Sequence, residues 1–225
     1  MFSSPTPLAV LISGGGRTLV NLQHEIDAGR LDVRVSLVIS SSPRAGGNER
    51  ARGLGLPLEV VARGGFVSDA AFGEAVFGHI ARAGAELVCL AGFLKFLPVP
   101  EGWLGRVINI HPALLPRHGG PGMYGHYVHE AVLAAGDPVS GCTVHFATNE
   151  YDRGPIILQR ECAVDPADTA ETLAARVFGE ECIAYPEAIR MLQRGEAGYG
   201  QAPSSALNPA DLRDRVGRVP SGGTS

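Results

Sequence analysis

Short aliphatic runs alternate with amphipathic stretches along the first hundred residues of the chain. Apolar residues recur at helical spacing at Leu19, Leu22 and Ile26 and again at Phe72, Val76 and Ile80, which predicts two helices with one buried face each. The aliphatic runs between the helical stretches predict strands at residues 8–12, 33–39, 58–62 and 87–91. Strands that alternate with helices indicate a parallel sheet covered on both faces.

The second hundred residues follow a less regular pattern. The pattern predicts a helix over 126–135 and a largely helical stretch over 169–194, which Pro186 is expected to interrupt or to restart. Further strands are predicted at 105–110, 141–148 and 156–161. We therefore predict an α/β fold with an open, mostly parallel, twisted sheet, helices on both faces and mixed strands in the C-terminal half.

The chain is expected to divide into an N-terminal half over 1–100, which resembles a Rossmann-like phosphate-binding unit, and a catalytic half over 101–200. From residue 201 to residue 225 the sequence is rich in Gly, Pro, Ser and Arg without apolar periodicity. That composition predicts a disordered tail.

Charge and composition disfavour several classes of binding partner and of cellular location. The chain has 225 residues and a formal net charge of −4, which disfavours a nucleic-acid binder because such proteins carry a basic face. No apolar run approaches the roughly 20 residues that span a bilayer, and residues 1–7 lack a signal-peptide pattern. The four cysteines are far apart and form no Cys-x-x-Cys pair, so we expect a reduced cytoplasmic protein without a metal site.

A glycine-rich turn follows the first predicted strand. Gly14, Gly15 and Gly16 precede Arg17 and Thr18 at the start of a predicted helix. Backbone N–H groups at such a turn approach a ligand closely, and the helix N-terminus attracts anions. The turn lacks the Gly-x-Gly-x-x-Gly spacing and a Walker lysine, so a single phosphate fits better than a dinucleotide. A tight turn that binds nothing remains the alternative.

Asn109 and His111 lie at the carboxyl end of the predicted strand over 105–110. Their side chains point to the same side of the sheet, because side chains alternate along a strand. Open α/β sheets bind their ligands at this edge. An amide can stabilise an oxyanion and an imidazole can supply a proton near neutral pH, so the pair indicates catalysis, whereas a lone histidine is more often structural.

Three further polar features lie downstream. Asp152 follows the strand that contains His145; it either forms a turn or orients His111 and favours its charged form. Glu181 follows Leu173 and Val177 at helical spacing, which places a carboxylate on or beside an apolar stripe. The pair His126-x-x-His129 has metal-like spacing but no third ligand nearby, so we interpret it as a surface or structural feature.

These segments resemble the 10-formyltetrahydrofolate-dependent formyltransferases. Residues 107–116, with the pattern Asn-x-His-Pro-x-Leu-Leu-Pro, are similar to the signature of that family. Residues 141–146, 152–159 and 90–97 resemble its other characteristic segments, and the resemblance extends over about 8–195. The Ser-Gly-Gly-Gly turn is similar to that of the branch that acts on phosphoribosylglycinamide.

The resemblance implies a Rossmann-like formyltransferase fold and a role in purine biosynthesis. It implies 10-formyltetrahydrofolate as co-substrate, phosphoribosylglycinamide as acceptor, and a monomer or homodimer that needs no metal, nucleic acid or membrane. The implied catalytic residues are Asn109, His111 and Asp152. The implied substrate-binding residues are Gly15, Gly16, Arg17, Thr18 and Glu181. The implied folate-binding residues are Leu94, Lys95, Phe96, Leu97, Asn109, Thr148, Asn149, Glu150, Tyr151 and Asp152. The Leu115–Pro116 bond would be cis.

The chain departs from the family pattern at three places. Gly16-Arg17-Thr18 stands where relatives usually have Gly-Ser-Asn, and Asp69 stands where many have an arginine near the folate. The loop after Pro116 contains more glycine than usual. These departures affect the expected phosphate and folate contacts rather than the chemistry.

Other functions within and outside the family remain alternatives. A formyltetrahydrofolate hydrolase would carry a regulatory domain before the first strand, and a methionyl-tRNA formyltransferase would add a C-terminal RNA-binding domain. A related enzyme with another acceptor is also compatible with the motifs. A non-catalytic nucleotide-binding module or a dehydrogenase would use the glycine turn, but it would leave Asn109, His111 and Asp152 without a role.

Overall fold

Seven strands form one sheet in the computed structural model of the chain, which describes residues 2–201. In chain order the strands are β1 (Thr6–Ile12), β2 (Val33–Ser40), β3 (Leu58–Val60), β4 (Leu87–Leu90), β5 (Val107–His111), β6 (Val139–Phe146) and β7 (Ile156–Ala163). Across the sheet the order is β3-β2-β1-β4-β5-β6-β7. Neighbours from β3 to β5 are parallel, whereas β6 and β7 are antiparallel. This arrangement confirms the predicted fold class.

Helices pack on both faces of the sheet. They are α1 (Arg17–Asp27), α2 (Gly47–Gly53), α3 (Asp69–Arg82), α4 (His126–Ala135) and α5 (Ala170–Gln193). The side chains of β1 alternate between the two layers, as the period of a strand requires. Leu8, Val10 and Ile12 are buried in the layer that contains α1 and α5, and Ala9 and Leu11 are buried in the layer that contains α3.

Helix α5 is continuous through Pro186, so the prediction that this proline interrupts the helix or starts a new segment is wrong. A proline inside a helix has no N–H for the carbonyl four residues earlier, which here belongs to Cys182. That carbonyl instead accepts a hydrogen bond from Nδ2 of Asn21 on α1, at 2.9 Å. Pro186 itself is buried. A tertiary contact thus replaces the missing helical bond, and the sequence pattern of α5 alone does not contain it.

The strand order places the carboxyl ends of β1, β4 and β5 side by side at one edge of the sheet. The chain winds outwards from β1 to β3 and then returns to β4 on the other side of β1, so β1 and β4 flank the point where the topology reverses. Such a point creates a crevice in open α/β sheets. The hydroxyl of Tyr185 on α5 lies 3.1 Å from the carbonyl oxygen of Leu90 and 3.0 Å from that of Ile108, which ties β4 to β5 below this crevice.

The sheet continues across residue 100, because β4 and β5 are hydrogen-bonded neighbours. The two predicted halves therefore share one sheet, and their separation at residue 100 stays a prediction. Of the predicted disordered tail over 201–225, only Gln201 lies within the described residues. No helix among residues 2–201 is long and apolar enough to cross a membrane.

Gly154 is a position at which we expect no side chain to be tolerated. A Cβ atom there would lie 1.7 Å from the backbone oxygen of Phe146, and no change of rotamer can move a backbone atom. We expect Gly154→Ala to lower the free energy of unfolding by at least about 1–3 kcal/mol, the usual cost of overpacking, as measured by urea denaturation.

Gly179→Ala is the matched control for this substitution. Gly179 is exposed within α5, and no atom lies within 4 Å of a Cβ added there. We expect this variant to gain roughly 0.5–1 kcal/mol, because alanine loses less backbone entropy than glycine in a helix. Equal stabilities of the two variants would contradict the packing described for Gly154.

Candidate active site

A cavity of about 460 Å³ opens at the carboxyl ends of β1, β4 and β5. It combines side chains from the glycine turn, from the loop after β4, from the end of β5, from the loop after β6 and from α5. The predicted site residues that line it are Arg17, Thr18, Leu94, Lys95, Phe96, Leu97, Asn109, His111, Thr148, Glu150, Tyr151, Asp152 and Glu181. The volume is ordinary for a small-molecule site.

The imidazole of His111 lies between a backbone carbonyl and a carboxylate. Its Nε2 donates to the carbonyl oxygen of His118 at 2.8 Å, because a carbonyl only accepts. Its Nδ1 lies 3.6 Å from Oδ2 of Asp152, an ion-pair distance longer than a direct hydrogen bond. The structure therefore brings the loop that carries Asp152 to the imidazole of His111, as one of the two interpretations of Asp152 predicts.

Burial and charge act against each other on these two groups. Burial lowers the pKa of His111 below its ordinary value, and the carboxylate of Asp152 opposes this shift. Burial acts to raise the pKa of Asp152, but the imidazoles of His145 and His111 and the backbone N–H of Gly120 outweigh it, so this pKa is lowered. Asp152 therefore stays ionised near neutral pH and is the group that favours a charged His111.

His145 is the residue of the site to which the sequence assigned no role. Its Nδ1 donates to the carbonyl oxygen of Phe146 at 2.9 Å, and its Nε2 lies 3.1 Å from Nδ2 of Asn109 and 3.6 Å from Oδ1 of Asp152. In the neutral tautomer, Nε2 accepts from the Asn109 amide, which leaves the second N–H of that amide for a ligand. His145 thereby orients Asn109, one of the three predicted catalytic residues, and lies beside a second, Asp152.

Backbone conformation and backbone contacts also hold Asp152 in place. Its φ of 53° lies in the left-handed region, which aspartate adopts more readily than most residues. Its Oδ2 accepts from the backbone N–H of Gly120 at 2.9 Å, and the loop is fixed to β6 where the N–H of Phe146 donates to the carbonyl of Pro155. Asp152 is thus both a turn residue and a site residue, so the two interpretations of it are compatible.

The glycine turn borders the cavity at the start of α1. Gly16 has a φ of 71°, and a Cβ there would lie 2.9 Å from Cα of Gly47, so both conformation and packing require glycine. Helix α1 begins without a side-chain cap and without an acidic residue in its first turn. Gly14, Arg17 and Thr18 line the cavity. Gly15 and Gly16 are outside its lining, and their contact with a phosphate stays a prediction.

Glu181 faces the same cavity from α5. Burial raises the pKa of its carboxyl to about 7, and the nearby charge of Arg17 opposes this shift. The placement agrees with the expectation of a carboxylate on or beside the apolar stripe of this helix, since Val177 also lines the cavity and is fully buried. A carboxyl group poised near neutral pH is a typical feature of a binding or catalytic site.

The predicted folate-binding segments face each other across the cavity mouth. The rings of Phe96 and Tyr151 lie 5.1 Å apart, and the backbone N–H of Leu94 donates to Oγ of Ser13 at 2.8 Å. Asn149 is outside the cavity lining, because its amide bonds both the N–H and the carbonyl of Val99. Asn149 therefore joins its loop to the chain just after the segment 94–97, and its contact with folate stays a prediction.

The remaining departures and motifs have local partners. Asp69 pairs with Nε of Arg63 at 2.6 Å, and the Leu115–Pro116 bond is cis as the resemblance implies. His126 is exposed and His129 is buried. Within the part of the chain that the structure describes, no group of three or more His, Cys, Asp or Glu side chains could hold a metal ion.

Comparison with known proteins identifies relatives over most of the chain. The family model described as "Formyl transferase" matches residues 7–189. The chain is 39% identical over 197 residues to the trifunctional purine biosynthetic protein adenosine-3 of Drosophila melanogaster, covering 84% of this chain and 14% of that protein. It is also 39% identical over 185 residues to the chloroplastic phosphoribosylglycinamide formyltransferase of Arabidopsis thaliana, covering 81% of this chain and 63% of that protein. The chain thus spans less than two thirds of these relatives.

Solved structures share both the fold and the sequence. Glycinamide ribonucleotide transformylase 1 from Symbiobacterium toebii superposes with a TM-score of 0.79 at 38% identity, covering 84% of this chain and 88% of that one. The phosphoribosylglycinamide formyltransferase of Coxiella burnetii, solved in complex with CHES, superposes with a TM-score of 0.80 at 36% identity, covering 88% and 91%.

Removing the carboxylate of Asp152 is expected to lower the pKa of His111 further. The negative charge of Asp152 raises the pKa of the His111 imidazole, against the effect of burial. Asp152→Asn removes this charge, so burial lowers the pKa further. The pKa is measured by NMR titration of the imidazole. Glu150→Gln is the control, because it removes an exposed carboxylate from the same loop. An unchanged pKa in Asp152→Asn would contradict the described electrostatics.

Proposed function

The chain belongs to the formyl transferase family, and we propose that it transfers the formyl group of 10-formyltetrahydrofolate to the amine of 5-phosphoribosylglycinamide. The products are formylglycinamide ribonucleotide and tetrahydrofolate, and the reaction belongs to de novo purine biosynthesis. The observation that carries the proposal is the convergence of Asn109, His111 and Asp152 in a cavity that also reaches the glycine turn and Glu181.

Each part of the cavity has a place in the proposed reaction. The glycine turn, with Arg17 and Thr18, holds the phosphate of the acceptor at the positive end of α1. Glu181 contacts the glycinamide part. The segments around Phe96 and Tyr151 hold the pterin, whose flat ring suits an aromatic-lined mouth.

Formyl transfer begins with attack of the substrate amine on the formyl carbon that the bound folate supplies. The new N–C bond forms while the electron pair of the carbonyl moves to its oxygen. Asn109 donates its second N–H to this oxyanion, and protonated His111 stabilises it through Nδ1, the nitrogen that the His118 carbonyl does not occupy. Preorganised donors of this kind make the largest electrostatic contribution to such reactions.

Asp152 has two roles in the proposed reaction: it stabilises the charged imidazole and it helps to remove a proton from the amine. Its ionised carboxylate favours the imidazolium form of His111 and, through water, helps to take the proton that the attacking amine loses. The bond between the formyl carbon and N10 then breaks, and N10 gains a proton from His111 or through a relay. One proton leaves the amine and one reaches N10. The proposal assigns no role to a metal, because the formyl carbon is already electrophilic.

The cytoplasm is the compartment that we propose for the enzyme. All four cysteines are free thiols, of which Cys89 and Cys142 are buried, and this agrees with a reducing environment. Whether the chain is a monomer or a homodimer stays a prediction.

An assay of the purified protein with 10-formyltetrahydrofolate and a panel of amines tests the proposal directly. We expect formylated product, identified by mass spectrometry, with phosphoribosylglycinamide and little with other amines. Release of formate without an amine would favour the hydrolase alternative. Binding of NAD without any folate turnover would favour the nucleotide-binding alternative and would contradict the proposal.

Replacing His111 tests its assigned role. We expect His111→Ala to lower kcat by roughly 10²–10⁴-fold, because the oxyanion loses its charged donor. His79→Ala is the control, since His79 lies in the last turn of α3 and outside the cavity lining. Circular dichroism establishes that both variants fold. A His111→Ala enzyme with near-normal turnover would rule out this role.

A further inference from the structure

Arg17 occupies a position at which a cation is electrostatically unfavourable. It is the first residue of α1, where the helix dipole presents positive charge and where acidic residues are usually preferred. No acidic residue stands in the first turn and no side chain caps it. Among the described residues Arg17 also forms no ion pair within 4.0 Å. Glu181, whose raised pKa the charge of Arg17 opposes, is a nearby acidic group, but it forms no direct ion pair with the guanidinium.

The guanidinium of Arg17 is nevertheless held in a defined place. Its Cζ lies 3.7 Å from the ring centroid of Phe178 on α5, well within the range of a cation–π contact. Stacking uses the face of the guanidinium and leaves its N–H donors, which lie in the plane, available for a ligand. Both side chains line the cavity, together with Gly14 and Thr18 of the glycine turn. Phe178 thus orders Arg17 without neutralising it.

We propose that Phe178 is a positioning residue, which holds the Arg17 guanidinium so that its in-plane donors bind the phosphate of the acceptor and select a phosphorylated amine over an unphosphorylated one. This inference rests on the proposed function. It gives a role to Arg17 in the segment Gly16-Arg17-Thr18, where relatives usually have Gly-Ser-Asn. The side chain of Arg17 adds a charged, prealigned donor to the backbone donors of the turn. Phe178 acts only through Arg17.

A double-mutant cycle tests this dependence. We expect Phe178→Leu to raise the KM for phosphoribosylglycinamide about 3- to 30-fold, the range that loss of a cation–π contact implies, with kcat changed less than about 2-fold. Phe178→Tyr, which keeps the aromatic face, should restore the KM. In an Arg17→Ala background, which itself raises the KM, Phe178→Leu should add nothing.

Three controls separate positioning from a general structural role. The KM for 10-formyltetrahydrofolate should stay unchanged in Phe178→Leu. Turnover of the unphosphorylated glycinamide riboside should be equal in Phe178→Leu and the parent enzyme. Trp103→Leu removes the stacking partner of Arg106, whose Cζ lies 4.1 Å from that ring, and it should leave the KM for phosphoribosylglycinamide unchanged. Should Phe178→Leu not fold, Phe178→Met takes its place in the cycle.

Binding measurements keep this inference separate from the proposed reaction. Ribose 5-phosphate and ribose are titrated calorimetrically into the full chain, so no turnover is needed. We expect Phe178→Leu and Arg17→Ala to weaken binding of ribose 5-phosphate, and not to weaken it further when combined. An inactive enzyme with this binding pattern would overturn the proposed function alone. Additive effects of the two substitutions, or an unchanged affinity and KM in Phe178→Leu, would overturn the role of Phe178.

Discussion

The antiparallel pairing of β5 with β6 is the constraint on which the site depends. It sets Asn109 opposite His145 and His111 opposite Thr143, so the amide and the two imidazoles face one cavity. Because side chains alternate along a strand, a shift of one residue in this register would turn His145 away from Asn109. The same pairing fixes where β6 ends, and therefore where the loop that carries Asp152 can return to the imidazole.

Burial and neighbouring charges act together on the titratable groups of the cavity. Burial lowers the pKa of His111 and raises that of Glu181, whereas the neighbours of Asp152 keep its carboxyl ionised. The pKa values of three titratable groups in one cavity are thus shifted from their ordinary values, two by burial and one by identifiable neighbours. Such a set needs close packing, which the buried side chains of β5 and β6 supply.

The sequence predicted those features that depend on local periodicity. The alternation of strands and helices predicted the sheet, and the spacing of Asn109 and His111 placed both side chains on one side of β5. It did not predict contacts between distant segments. The role of His145 depends on the register of β5 and β6, and the stacking of Phe178 on Arg17 joins residues far apart in the chain. Motif resemblance supplied the expectation for Asp152 that spacing alone left open.

Pro186 has a consequence for α1 and α5, the two helices that contribute Arg17 and Phe178 to the cavity. The carbonyl it leaves without a helical partner, that of Cys182, is bonded by Asn21. Asn21 is one helical turn beyond Arg17, and Cys182 is one turn beyond Phe178. The hydrogen bond from Asn21 to Cys182 therefore joins α1 and α5 one helical turn along from the stacked pair, and it opposes sliding of one helix along the other. The missing helical bond in α5 thus helps to fix the relative position of two side chains that line the cavity.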